Sequence, residues 1–178
     1  MALFAALAMV FTGCKDEEVP AIEYKTQGFI KGTLVGETSE GDDLNEKFTY
    51  SQYSGGLLSY YNVNETFEGE DFYNFQIERE DLNSGGYVLI TFMLEELSST
   101  SPINPQFIFN FRKETQDKII FFDKNNFGNN DTEITNLSFD DKTGRLRGNF
   151  EVTSDNNSSG ESAIITGEFD VVVKRAVE

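Results

Sequence analysis

The chain contains no histidine and no tryptophan, one cysteine and only three prolines in 178 residues. Without imidazole, every catalytic triad built on it is excluded, and with a single thiol so are the usual Cys/His zinc sites. One cysteine also forbids an internal disulfide, so the fold stands on packing alone. Basic residues are scarce: 14 Lys and Arg face 31 Asp and Glu, for a formal charge of −17. Such a surface repels nucleic acid, whose binding rests on Lys and Arg at the phosphates; the acidity serves solubility and spacing from other anions. The missing tryptophan removes the commonest stacking platform for sugars and cations. No apolar run reaches the roughly 20 residues of a membrane-spanning helix.

What the chain does have is phenylalanine, 17 of them, with seven tyrosines. These supply large side chains for a core, and the length suits one domain. The sequence divides into a leader over 1–13, an acidic segment over 14–27 and a single domain over 28–178.

The apolar run over 2–11 closes on Phe11-Thr12-Gly13-Cys14. A signal peptide needs roughly 7 to 15 apolar residues before a small-residue cleavage site. This stretch resembles the lipobox of bacterial lipoproteins, which implies cleavage before Cys14, a diacylglyceryl group on its thiol and acylation of the new amino terminus. Each buried methylene adds about 0.8 kcal/mol, and stable anchoring takes more than one chain. Met1 is followed directly by Ala2, so the charged segment that opens a signal is expected upstream of Met1. The alternative is a buried cysteine after an N-terminal helix, since free Cys behaves as a small hydrophobe. The next residues, Lys15, Asp16, Glu17 and Glu18, resemble the export address of Bacteroidetes surface lipoproteins. That resemblance implies display on the outer face of the outer membrane; the alternatives are a periplasm-facing anchor and a plain solvated tether.

Past the tether, period-two alternation dominates, the mark of half-buried strands. The pattern predicts strands over 29–35, 47–52, 66–80, 87–94, 107–112, 118–123, 134–139, 145–153 and 163–174, with 57–63 ambiguous between strand and helix. Tyr73, Phe75 and Ile77 point one way; so do Val88, Ile90, Phe92 and Leu94, and then Phe107, Phe109 and Phe111. Asp140-Asp141-Lys142-Thr143-Gly144 reads as a hairpin loop with glycine where a positive φ is needed. Gly148-Asn149-Phe150 and Gly167-Glu168-Phe169 repeat one arrangement, which predicts an aromatic ring packed over a strand glycine. Eight to ten strands and no amphipathic helix point to an all-β antiparallel sandwich. A lipocalin-like closed barrel is the alternative, and only the barrel would enclose a cavity.

Candidate sites are few. An enzyme without histidine would need paired carboxylates, and Asp140-Asp141, Glu95-Glu96 and Glu78 with Glu80 or Asp81 are the available pairs; all sit at strand ends or turns, where chains place solvated charge. No catalytic residue is assigned. No cofactor is expected, with calcium the one to consider: Asp155, Asn157 and Ser159, followed by Gly160, match the opening oxygen positions of an EF-type loop, but its twelfth position is Thr166 rather than Glu. The stretch from Asp123 to Gly128 fails at the fifth position. Tyr50, Tyr53, Tyr60 and Tyr61 surround Gly55-Gly56; exposed together, they could hold a glycan or an envelope protein, and the alternative is cross-strand aromatic packing.

The stretches LSFDDKTGRLRGNF and ITGEFDVVV, with the leader, make the chain similar to small all-β lipoproteins of Bacteroidetes, a resemblance that carries no activity. The expectation is a non-catalytic, lipid-anchored envelope protein that binds a ligand or partner. A structural or adhesive subunit and a carrier of a small apolar ligand are the alternatives, and a glycoside hydrolase comes last.

Overall fold

In a computed structural model the described residues are 28–38, 40–52, 59–67, 70–116, 119–124, 131–156 and 161–176. Residues 1–27, with Cys14 and Lys15 to Glu18, lie outside them. Among the described residues eleven strands are formed: β1 Gly28–Glu37, β2 Asp43–Tyr50, β3 Ser59–Phe67, β4 Glu70–Asp81, β5 Gly86–Leu94, β6 Ile103–Glu114, β7 Ile119–Lys124, β8 Asp131–Asp140, β9 Arg145–Asn156, β10 Glu161–Val172 and β11 Lys174–Arg175. Of the segment 57–63, left ambiguous by its sequence, residues 59–63 belong to strand β3.

One sheet has the order β2-β1-β10-β9-β8 and the other β11-β3-β4-β5-β6-β7. All pairings are antiparallel except that of the two-residue β11 with β3. This is the predicted sandwich. The barrel does not close: among the described residues no ladder joins β2 to β3 or β7 to β8. At one corner a single bridge, Gln52 with Glu80, ties the end of β2 to β4.

The sequence explains both inner faces. Ile30 and Leu34 of β1, Phe75 and Ile77 of β4, and Val88, Ile90, Phe92 and Leu94 of β5 alternate with exposed or half-exposed neighbours and are buried. Rings weld the sheets together: Phe48 lies 4.8 Å from Phe109, Phe107 5.1 Å from Phe150, and Phe75 5.2 Å from Phe139. Such pairs contribute about 0.5–1.5 kcal/mol each beyond their buried area. They fill the space that a lipocalin-like carrier would leave for its ligand.

The same parity that buries Phe75 and Ile77 carries Arg79 inward, where it is 1 % exposed. Its Nη1 donates to Ser59 Oγ and to the Glu78 carbonyl, bonds that a buried guanidinium requires.

Three register shifts interrupt the ladders of the described residues: one residue is inserted between Val63 and Glu65 of β3, and two further bulges reset the alternation. Ladder register slips by one residue between Thr91 and Met93 opposite β6, and between Thr135 and Ser138 of β8. The extra residues include Asn104 at φ 47° and Asn136 at φ 53°, the left-handed region that asparagine tolerates better than most residues. In β8 the slip turns Leu137 and Phe139 to the side of Ile134. Unbroken alternation would instead have put Asn136 and Ser138 there.

Gly144 takes φ 70° in the β8–β9 loop, as its sequence predicts, and its carbonyl accepts from Val173 N at 2.8 Å. Val173 is where the chain leaves one sheet for β11 in the other.

Candidate functional site

The described members of the tyrosine group, Tyr50, Tyr60 and Tyr61, do not share a face. Tyr50 points inward from β2, is buried among Phe48 and Phe109, and donates its hydroxyl to the Asn110 carbonyl at 3.0 Å. Burial first, then the nearby Asp81, pushes that phenol far above its usual value of 10.0, so it stays a neutral donor. Tyr61 stacks on Phe75 at 5.2 Å and meets Phe139 edge-on. Tyr60, one residue earlier, faces the other side and donates to Gln76 Oε1 at 3.1 Å. Successive strand residues point to opposite faces, which is why the neighbours Tyr60 and Tyr61 cannot share a surface. Tyr53 lies outside the described residues.

The proposed calcium loop lies mostly outside the described residues. Asp155 belongs to the end of β9, while Asn157 and Ser159 fall outside the described residues, as do the positions after Lys124 in the second loop. Among the described residues no group of three or more acidic or thiol side chains converges on a point.

The paired acids do local work. Asp140 accepts from Lys142 N at 3.0 Å, and hydrogen bonds from Thr143 and from that backbone hold its carboxyl below the usual range. Asp81 accepts from Asn83 N and Ser84 Oγ in the β4–β5 turn. Glu95 and Glu96 are exposed, and Glu96 accepts from Ser98 Oγ. Glu78 is raised by burial and then by Glu80, against the opposing pull of Arg79.

The structure instead forms a groove that sequence reasoning missed. It lies across the outer face of the five-stranded sheet and has a volume of about 670 Å³, within the roughly 300–1,000 Å³ of small-ligand sites. Two ladder rows build it. One runs Lys47, Thr33, Thr166, Glu151, Glu133 from β2 to β8; the other runs Thr49, Lys31, Glu168, Asn149, Thr135. Their polarity follows from parity, because every one of these residues alternates with a core residue or a glycine. The backbones of Gly32 and Gly167, paired with each other, complete the floor.

On the inner side those glycines receive the predicted rings. A Cβ on Gly167 would come within 2.6 Å of Phe150 Cζ, one on Gly148 within 2.5 Å of Phe169 Cζ, and one on Gly32 within 2.9 Å of Phe48 Cζ. The phenyl groups thus anchor the sheet from within.

Within the groove, Thr33 and Thr166 hydroxyls meet at 2.9 Å and Lys31 Nζ pairs with Glu168 at 2.8 Å. In the row next to the second, Asp170 takes Arg145 at 2.6 and 2.8 Å and Arg147 at 3.3 Å; the hydrogen bond from Arg145 leads in holding the Asp170 carboxyl below its usual value. Next to the first row, Val35 and Ile164 face each other and are each 49 % exposed.

A second recess of about 430 Å³ opens at the sandwich edge, over Phe48, Tyr50 and Phe111, and the Lys113–Glu46 ion pair at 2.7 Å crosses it from sheet to sheet. Its rim carries both signs of charge, with Arg112 already paired to Glu114.

No protein-family model, no curated protein and no solved structure matches the chain. Among the described residues no helix is long and apolar enough to cross a membrane.

Proposed function

We propose that this is a non-catalytic, lipid-anchored protein of the bacterial outer membrane, displayed at the cell surface, that holds a ligand or partner on the outer face of its five-stranded sheet. The observation that carries the binding half is the groove: two unbroken polar rows across five strands, with a floor of glycine backbone. The anchoring half rests on the Phe11-Thr12-Gly13-Cys14 sequence and the acidic run that follows.

Each half has its own test. Cys14→Ser should move the protein from the membrane fraction to the soluble fraction and abolish incorporation of labelled fatty acid; an unchanged distribution defeats the anchor. Thr166→Trp fills the middle of the groove from an exposed face. It should abolish co-sedimentation with purified envelope polysaccharide while the far-ultraviolet spectrum stays unchanged. Equal sedimentation of variant and wild type would remove the groove from the account.

One observation favours the structural or adhesive alternative. β7 ends the six-stranded sheet, and its outward Ile119 and Phe121 are 57 % and 47 % exposed; edge strands of that kind recruit further chains. Under this reading Phe121→Lys abolishes a concentration-dependent rise in sedimentation coefficient, and a wild type that stays monomeric at high concentration excludes it.

A further inference from the structure

The groove is electrically lopsided. Its first row begins with Lys47 on β2 and ends with Glu151 and Glu133 on β9 and β8. Neighbouring strands lie about 4.8 Å apart, so the lysine and the two acids are separated by about 14 to 19 Å at the backbone. Within that row only the hydroxyls of Thr33 and Thr166 stand between them, and one row over lie Asn149 and the Lys31–Glu168 ion pair.

Glu133 and Glu151 are direct partners in the ladder. Like charges placed so are destabilising, and neither acid has an ion-pair partner among the described residues, while Lys31 in the neighbouring row is already held by Glu168. Lys47 likewise has no such partner. A ligand that suits this lining carries a cation at one end and hydroxyls along its length, and keeps its cation away from Lys47. No aromatic ring stands at an outward position of the two rows, and Phe48 and Phe150, which border the floor, are nearly buried on the core side.

We infer that the groove binds an amino-sugar oligosaccharide, its protonated amine between Glu133 and Glu151 and its hydroxyls over Thr33, Thr166 and Asn149. This inference rests on the reading of that face as the binding face and adds the ligand's chemistry. Charge-assisted hydrogen bonds at the amine supply direction as well as strength, and the hydroxyl rows accept and donate along the sugar rings.

The probe is a short β-1,4-linked N-acetylglucosamine oligomer deacetylated at one terminal sugar only, titrated calorimetrically at a pH where that amine is protonated, against the fully N-acetylated oligomer of equal length. The wild type should bind the first at least tenfold more tightly than the second. Glu133→Gln combined with Glu151→Gln should cost about tenfold or more, the equivalent of about 1.4 kcal/mol. It should not lower the melting temperature, because it removes a like-charge pair. Glu95→Gln combined with Glu96→Gln makes the same change in net charge outside the groove and should leave affinity within about twofold.

Equal loss in both double variants would reduce the binding to general attraction between a cation and an acidic protein, and the inference falls. So it does if the neutral oligomer binds as well as the charged one, or if neither binds. In that last case the Thr166→Trp result separates the two ideas. Envelope binding that still depends on Thr166 leaves the groove and removes only the amino sugar; binding indifferent to it removes both.

Discussion

Gly148 and Gly167 look alike in sequence and sit under the same kind of ring, yet they differ in what surrounds them. The three atoms nearest to a methyl at Gly148 all belong to the Phe169 ring, whereas one at Gly167 lies 2.2 Å from the Lys31 carbonyl oxygen and 3.0 Å from Gly32 Cα as well as against Phe150. A ring can tilt; a paired backbone cannot without opening its ladder. Gly148→Ala should therefore cost about 1–3 kcal/mol, the range of a crowded core, and Gly167→Ala more, as read by urea denaturation. Equal costs would mean that the backbone contact does not govern. Charge at single residues gives a second expectation. The Glu78 carboxyl is raised above 4.5 in the folded protein, so its contribution to stability is fully present below that value and is lost as pH rises through the folded value. Glu78→Gln should accordingly stabilise the protein at neutral pH, with the gain vanishing below about pH 4.5. Asp170 runs the opposite way: its lowered carboxyl favours the fold above its unfolded value of 3.8 and ceases to do so as pH falls through the lower, folded value. A Glu78→Gln gain that persists undiminished in acid would contradict the assignment.

Strand β8 shows how one element can mislead a period-two reading. Read as an unbroken strand, its inward positions after Ile134 would be Asn136 and Ser138; the bulge spends one residue and brings Leu137 and Phe139 inward instead. Asn136 makes this possible by accepting φ 53°. For a β-branched residue the left-handed region costs about 1–2 kcal/mol. Asn136→Val should destabilise by about that amount, while Asn136→Gly should be close to neutral because glycine enters this region freely. Thermal denaturation of the two variants decides the matter, and a harmless Asn136→Val would show that the bulge can move. The β8 bulge also lies beside the groove, since the register slip begins right after Thr135, so its position sets which outer residues line the ladder rows.

At the scale of the molecule, the balance between repulsion and pairing is open to measurement. The formal charge of −17 opposes compaction, and the exposed pairs Lys31–Glu168, Lys113–Glu46 and Arg145–Asp170 each contribute about 0–1 kcal/mol. Raising salt from about 0.01 M to about 0.15 M shortens the screening length from about 30 Å to about 8 Å. Long-range repulsion is lost first, so the melting temperature should rise by about 2–4 °C for each kcal/mol relieved. A fall would show that the pairs outweigh the net charge. The arrangement of chain ends matters here as well. β1 pairs with β10 through ten residues in the middle of the five-stranded sheet, so neither terminal part of the domain can be removed without splitting that sheet, and the groove with it.

Much of the fold was legible because burial in a sheet obeys a two-residue period that side-chain polarity records locally. The inward phenylalanines of β6, the glycine of the β8–β9 turn and the rings over Gly148 and Gly167 all follow from residues close in the chain. Sequence also set the absence of histidine, the single thiol and the acidic balance, and with them the chemistry open to the protein. The candidate site was not legible. The tyrosines were grouped by nearness in sequence, yet parity turns Tyr60 and Tyr61 apart and burial takes Tyr50 into the core. Conversely, Lys47, Thr166 and Glu133 are far apart along the chain and unremarkable one by one. Alternation fixes which face a residue takes but not which strand lies alongside, since ladder bonds between backbones are alike for any partner. Only the tertiary pairing of β1 with β10, and of β8 with β9, gathers those polar positions into one groove.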